Sequence, residues 1–538
     1  MKSSKKIMGE SSLILIISTA LVKIIGACFK IPLATDTFLG DIGFGYYSVA
    51  HDLYMPFYVL AISGLPAAIA KMTADYISCK KQNELKQNLL LSRRLFLIFG
   101  AVISGIVTLC SIPLTLTDIL SKNTLYSVLA IVPSIFLCFL ISVYRGYFEG
   151  KSNMYPTAIS KIIEAVTKLV LGLIFAYIVM QKTNNPAFAS ASAMTAITIG
   201  TLISTFYLHI KFKNNLLKNT VSPLSKSHKS TLTLKTLLAL ALPFAMASLS
   251  SSLISFIDVF TVKTQISGNG CLYFLSFFDI EKTISLNELS TFLYGIRSKA
   301  FTLYYLIPTI TMSIGIGALP VIAKCYSQND IKAVNSNSIY ILKLINCITI
   351  PASFGLFTLS QSIMELVYSS GDKLNSYMLC IYGVAALFTG IAVPLTTVLQ
   401  SINLQKKCLI HIGIGFCIKI LSSILFVKFT FINIFAAPIS SVLCYLYITI
   451  SLLILFKKHI GTIDFINSIL KPLICSILCC AAAYFITEFS DSKIFTLLSI
   501  LCGVVIYLLT LILFKTFSKS ELSQLPLFGK LFEQKRLK

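Results

Sequence analysis

Ionisable side chains recur inside apolar stretches of this chain, at spacings that gather them on single helical faces. Lys23 and Lys30 lie seven residues apart, and Ser12, Thr19 and Gly26 complete their stripe; on a helix these positions share one face. Lys161, Glu164 and Lys168 share a second face, His411, Gly415 and Lys419 a third, and Ser248, Ser251, Ser255 and Asp258 a fourth. A charge at the centre of a membrane helix costs about 2.5 to 3.5 kcal/mol on insertion scales, so each such group needs a partner or a wet cavity. Lys23, Lys168 and Lys419 lie deep enough for a cavity or an ion pair, such as Lys168 with Glu164. Lys30 and Lys161 lie nearer helix ends, where a long side chain can also snorkel to the interface. Asp258 suits an ion or proton site, a counter-ion to a lysine, or a helix-packing hydrogen bond. His411 suits packing or an interhelical hydrogen bond better than proton carriage, and His51 with Asp52 makes a candidate interfacial couple at the outer end of its span.

The elements that must hold these groups are membrane helices. Hydrophobic residues make up 56% of the chain and charged ones 12%, with a mean hydropathy of +0.83, far from the composition of a soluble domain. Apolar runs of about 20 residues recur from end to end, the length that crosses a hydrocarbon layer of roughly 30 Å, and they lack the alternation of a barrel. We read an all-α polytopic membrane protein of about 14 transmembrane helices, including spans at 11–31, 44–70, 124–144, 159–180, 236–263, 299–322 and 408–427. Lys2, Lys5 and Lys6 precede a first apolar run that lacks a small-residue cleavage site, so it reads as a retained helix. Lysines and arginines crowd alternate loops, most densely over 211–235, whereas the long outer loop at 264–298 mixes Asp279, Glu281 and Glu288 with Lys282 and Arg297. The positive-inside rule then places both termini in the cytoplasm.

The chain also repeats itself. ISGLPAAIAK, ending at Lys71, is echoed by IGALPVIAK, ending at Lys324, about 253 residues later. At a similar offset Arg145 falls on Gln400 and Glu164 on Lys419. The spacing predicts two pseudo-symmetric six-helix lobes, 1–222 and 223–458, followed by two C-terminal helices and a basic tail over 459–538. Six helices per lobe make the repeat parallel, an arrangement found in transporters with substrate between the lobes. Pro66 and Pro320, with Pro56 and Pro308, bend the second and eighth spans and are candidate hinges.

Other chemistry is excluded or unsupported. The stretch GYFEGKS, Gly146 to Ser152, has three residues between its glycines where a phosphate-binding loop needs four, so no ATP site is expected. The 15 cysteines lie mostly in apolar runs without metal-ligand spacing, and the basic residues do not form a nucleic-acid face with aromatics. No cofactor, metal, nucleic acid or enzymatic centre is expected.

The stretches GDIGFGYYSVAHDLYMPFYVLAISGLPAAIAKMTADY and VYRGYFEGKSNMYPTAISKIIEAV resemble the stage V sporulation protein B family, itself similar to MurJ-type lipid II flippases. ALPVIAK and VLQSINLQKK extend the resemblance over both lobes. It implies membership in the multidrug, oligosaccharidyl-lipid and polysaccharide exporter superfamily, two lobes in alternating access, and outward movement of an undecaprenyl-diphosphate-linked saccharide across a plasma membrane, here of a Gram-positive bacterium. Such a substrate needs cations for its diphosphate, for which Lys23, Lys30, Lys168 and Lys419 are candidates; Arg145, on a short cytoplasmic connection, would meet phosphate headgroups first. Glu164 and Asp258 are then candidate counter-ion or coupling groups. The resemblance gives the last two helices a groove for the lipid tail. The chain departs from the pattern in having only five arginines, in Glu149 where glutamine is usual, and in Lys161 with Glu164 where a glutamine-rich segment is usual. Two other readings stay open: a cation-coupled drug exporter on the same scaffold, and a non-transporting scaffold that recruits cell-wall synthases.

Overall fold

The computed structural model describes residues 18–19, 21–79, 81–116, 120–218, 249, 252–263, 266, 278, 286–369, 373–429, 432–461, 466–489 and 492–517. Among these, no strand occurs, and 12 helices are long and apolar enough to cross a membrane. The chain is an all-helical, multi-pass membrane protein. The expected spans at 11–31 and 236–263 fall partly outside the described residues, as do most of the basic run at 211–235 and the C-terminal tail.

The elements that bear on function are α1 (21–33), α2 (Gly40–Val59), α3 (Leu65–Ser78), α4 (Gln82–Leu116), α5 (Lys122–Gly150), α6 (Tyr155–Thr183) and α7 (Pro186–Lys218). A helical stretch α8 (252–258) runs into the π turn Val259–Lys263 and is followed by α9 (Leu286–Tyr304), α10 (Leu306–Ser327), α11 (Ile331–Thr358), α12 (Ser360–Tyr368), α13 (Lys373–Ser401), α14 (Gln405–Val427), α15 (Ala436–His459), α16 (Lys471–Thr487) and α17 (Lys493–Leu513).

Contacts divide the chain into two compact units, Met1–Lys299 with Ile420–Ala437, and Ala300–Lys419 with Pro438–Lys538. In the first, α5 packs on α2, α3, α4 and α7, and α6 packs on α7. Its two most recognisable motifs, ISGLPAAIAK and RGYFEG, lie against each other. A Cβ on Gly146 would stand 2.6 Å from Ile69 Cβ and 2.7 Å from Pro66 O, and one on Gly150 2.5 Å from Ala70 O. The motif glycines therefore let α5 approach the backbone of α3, which any larger residue would prevent. In the second unit, α10 and α11 pack on α13 and α16 packs on α17; Gly315 makes the corresponding close approach, its Cβ position 2.9 Å from Pro394 Cα. α17 leaves Leu497, Leu501, Val504, Leu508 and Ile512 exposed, a face suited to lipid.

Three expectations need correction. Arg145 to Gly150 is not a loop: α5 continues to Gly150, and the polar turn is confined to residues 151–154, with Ser152 at φ 57°. Arg297 does not lie in an outer loop but in α9, which starts at Leu286. The second span is longer than its apolar core and is interrupted rather than merely bent: the π turn Leu60–Gly64 separates α2 from α3, and Pro66 follows it. A proline at 66 cannot donate to the carbonyl four residues back, and a wide turn absorbs the missing bond. Pro56 sits within α2, and position 320 falls inside α10.

Candidate functional site

Charged groups from α1, α2, α5, α6, α8 and α9 converge within the first unit. At one end, Arg145 of α5 is fully buried; its Nη2 donates to Glu164 Oε2 at 3.0 Å and its Nε to Ser160 Oγ at 3.1 Å. Tyr58 Oη donates to the other Glu164 oxygen at 2.9 Å. Glu164 and Ser160 share a face of α6 because they are four residues apart, and Gly146, next to Arg145, lets α5 approach α3. Arg145 is thus tied to a carboxylate instead of standing at a headgroup surface, and Glu164 pairs with Arg145 in place of the expected Lys168.

At the other end, Arg297 of α9 is shared by two carboxylates: Nη2 meets Asp258 Oδ2 at 2.5 Å and Nη1 meets Asp52 Oδ2 at 3.2 Å. Tyr294, one turn earlier, donates to Asp52 at 2.8 Å, and its ring lies 5.0 Å from the guanidinium carbon. His51 Nδ1 is 3.6 Å from Asp52 Oδ1, and its ring stacks on Tyr47. Both members of the His51 and Asp52 couple are buried, so it is an interior feature and not an interfacial one. A planar guanidinium presents parallel donors that two carboxylates can grip, which an ammonium cannot. Asp258 is therefore ion-paired with an arginine that hydropathy had placed outside the membrane.

The approach of α9 to α2 is close enough that a Cβ on Gly45 would collide with the Thr291 carbonyl, and one on Gly295 with the Asp41 carbonyl. Lys299 Nζ pairs with Asp41 at 2.6 Å, and Glu288 accepts from Tyr46 at 2.7 Å and from Asn123 at 2.8 Å. Sequence reasoning missed Arg297, Tyr294 and Lys299. The signal available was the pair of glycines, Gly45 and Gly295, in otherwise ordinary helical sequence.

Between these two arrangements lie the lysines. Lys23, Lys30, Lys161 and Lys168 are all half-buried. Lys161 lies in the field of Arg145, Glu149 and Glu164, Lys168 in that of Lys30 and Glu164, and Lys30 in that of Asp52 and Arg297. Lys168 Nζ also sits 5.0 Å from the centroid of the Phe29 ring, a cation–π distance. Six of the expected site residues, Lys23, Lys30, Arg145, Glu164, Lys168 and Asp258, belong to this one assembly.

Lys419 belongs to the second unit. It is fully buried and donates to Ser440 Oγ at 2.9 Å and Ser441 Oγ at 3.0 Å, bridging α14 to α15. About two turns earlier on α14, His411 Nδ1 meets Tyr447 Oη at 3.3 Å, the interhelical contact its position suggested. The pseudo-equivalence of Glu164 and Lys419 thus survives as position on a helix, with different partners on the two sides.

A family profile described as polysaccharide biosynthesis protein matches residues 8–325. Stage V sporulation protein B of Bacillus subtilis is 26% identical over 98% of this chain and 99% of its own length. The lipid II flippase MurJ of the same organism is 23% identical over 85% of this chain and 84% of its own. Among solved structures, lipid II flippase MurJ in an inward closed conformation aligns with a TM-score of 0.66 at 18% identity, covering 93% of this chain and 98% of that one. The resemblance carried by the sequence motifs is borne out, and the fold is shared.

Proposed function

Because this chain belongs to the polysaccharide biosynthesis protein family, we propose that it is a flippase that moves an undecaprenyl-diphosphate-linked cell-wall precursor, lipid II or a related lipid-linked saccharide, from the inner to the outer leaflet of the plasma membrane. The observation that carries this reading is the charge of the assembly in the first unit. Lys23, Lys30, Lys161, Lys168, Lys299, Arg145 and Arg297 outnumber Asp41, Asp52, Asp258, Glu149, Glu164 and Glu288, and the lysines of α1 and α6 are the cations not drawn into the arginine–carboxylate pairs. Within a low-dielectric surround an excess of cations favours an anionic ligand strongly, and a diphosphate supplies two negative charges.

In this reading Lys23, Lys30 and Lys168 hold phosphate, Lys161 joins them, and Arg145 and Arg297 keep the carboxylates of the same face from competing. The exposed apolar side of α16 and α17 would carry the lipid tail. Pro66, beside its π turn, and Pro320 would flex as the two sides of the membrane open in turn. Both termini face the cytoplasm, and the lobes 1–222 and 223–458 are the moving parts. A cation-coupled drug exporter would need an available carboxylate, whereas Asp258 is gripped by Arg297.

The test is translocation by purified protein in proteoliposomes loaded with fluorescent lipid II on one leaflet. Wild type is expected to expose lipid II to an external reporter enzyme, and depletion in cells to accumulate a lipid-linked precursor on the inner leaflet. Folded protein that moves neither lipid II nor any other diphosphate-linked saccharide would overturn the proposal.

A further inference from the structure

The start of α14 and the end of α15 lie side by side and carry five basic residues. The two helices run antiparallel, in contact along their length: Lys407 meets His459 at 3.0 Å, His411 meets Tyr447 at 3.3 Å, and Lys419 meets Ser440 and Ser441 at 2.9 and 3.0 Å. Between these contacts a Cβ on Gly415 would stand 2.6 Å from Ile448. Lys406, Lys407, Lys457, Lys458 and His459 therefore gather at one end of the pair, all exposed. The end of a helix favours cations, which accounts for the three on α15, whereas the start of a helix disfavours them. Lys406 and Lys407 stand at the start of α14, so the helix ends do not explain the cluster.

The contact between Lys407 and His459 has a defined direction. His459 Nδ1 lies 3.0 Å from the Leu455 carbonyl oxygen, which can only accept, so Nδ1 carries the hydrogen and Nε2 accepts from the Lys407 ammonium. One of the three ammonium donors is used in this way, and the cation is fixed where the two helices meet. Among the described residues, no carboxylate lies in ion-pair range of Lys406, Lys407, Lys457 or Lys458. Next to the cations the surface turns apolar at once. Ile410 and Ile414 follow Lys406 at four and eight residues, and Ile454 and Ile450 precede Lys458 at four and eight. These spacings keep each set on one helical face, and all four isoleucines are exposed. Eight residues rise about 12 Å, most of the roughly 15 Å that one leaflet contributes to the hydrocarbon core.

We propose that this end of α14 and α15 binds one anionic glycerophospholipid of the membrane itself. Its phosphate sits among Lys406, Lys407 and Lys458, and its two acyl chains run along the two isoleucine stripes. Charge complementarity selects the headgroup, because a basic pocket between membrane helices at the cytoplasmic side attracts anionic lipids, and in the orientation proposed above these lysines mark the cytoplasmic side. The paired stripes select the body of the ligand: each is as long as an acyl chain within one leaflet, and there are two of them. The site is on the outer surface of the second unit, apart from the charged assembly of the first.

The experiment titrates the full-length protein in detergent with phosphatidylglycerol and follows retained lipid by native mass spectrometry. Wild type is expected to hold one molecule saturably and to prefer it to phosphatidylcholine by about tenfold or more; no preference would overturn the proposal. At about fivefold per lysine, Lys406→Gln/Lys458→Gln is expected to weaken binding by about thirtyfold. Lys324→Gln/Lys332→Gln removes the same charge from exposed lysines elsewhere in this unit and is expected to leave binding within about twofold. Equal loss in the two variants would mean diffuse attraction to a basic surface, and the site would fall. Ile410→Ser/Ile454→Ser keeps every cation and is expected to weaken binding by about tenfold; unchanged binding would show that the acyl chains lie elsewhere and would refute the assignment. Two competitors separate other sources of the same headgroup chemistry. Displacement of the lipid by excess inorganic phosphate would make this a phosphate site, displacement by undecaprenyl diphosphate an entry point for substrate, and either overturns the proposal. Should the Gln pair not elute as a single species, Lys406→Gln and Lys458→Gln are each expected to lose about fivefold. The readout stands apart from the flippase reading: protein that moves no lipid II is still expected to retain phosphatidylglycerol.

Discussion

Removing the charge of Glu164 while keeping its shape isolates the buried pair on which one end of the assembly depends. In Glu164→Gln the Arg145 guanidinium stays where it is, with 1% of its side chain exposed, facing a neutral amide. Breaking a buried ion pair from one side costs roughly 3 to 5 kcal/mol because an uncompensated charge remains. Glu164 keeps 11% of its side chain exposed and Tyr58 can donate to an amide oxygen as to a carboxylate, so the lower end, about 3 kcal/mol, applies. At about 2 °C per kcal/mol for a large chain, the thermal midpoint falls by about 6 °C. The chain has no tryptophan but 15 cysteines, so the suitable assay is a thermal ramp with a thiol-reactive fluorogenic dye. Cys138, buried beside Tyr54 at 3.4 Å, reports on this region. The decisive comparison is a double-mutant cycle. Arg145→Met alone strands the carboxylate and Glu164→Met alone strands the guanidinium, whereas the two together replace both charges by apolar groups and are expected to recover much of the loss, a coupling of about 2 kcal/mol or more. Midpoint losses that simply add across the cycle would refute the claim that the two groups neutralise each other.

Two further outcomes follow from the same geometry. Arg297→Lys leaves one ammonium where a guanidinium joins Asp52 and Asp258, and the same thermal ramp is expected to show a drop of about 4 °C; an unchanged midpoint would count against the shared grip. Gly146→Val drives a side chain into Ile69 and the Pro66 carbonyl and is expected to abolish monodisperse elution on size exclusion, whereas Gly317→Ala, with nothing within 4 Å of its Cβ position, elutes as wild type.

Hydropathy gave the helical class and most spans, because a run of about 20 apolar residues has only one way to satisfy its backbone in lipid. It misplaced the boundaries of α5 and α9 for a physical reason. Residues 145–150 and 288–298 carry charge and glycine, which lowers mean hydropathy, yet most of these side chains are packed inside the protein. Helical periodicity placed Lys23 with Lys30 and Lys161 with Lys168 on common faces, and both faces enter one assembly. What periodicity cannot supply is the partner across a helix boundary. Arg145 meets Glu164 over 19 positions, but Arg297 meets Asp52 over 245, and no local pattern in either segment records the other.

The division of labour between the two kinds of cation follows from that pairing. Arginine is scarce in this chain, and among the described residues Arg145 and Arg297 are fully buried and engaged by carboxylates. Their fork geometry makes fixed, directional pairs, which is what a buried carboxylate requires and what a moving ligand does not. The lysines of α1 and α6, Lys23, Lys30, Lys161 and Lys168, stay half-buried, on long flexible stems. Under the proposed function, lysines would hold a phosphate without fixing its orientation as a forked guanidinium would. The use of lysine where the resemblance leads one to expect arginine is therefore compatible with the proposed function, since both buried arginines are engaged by neighbouring carboxylates.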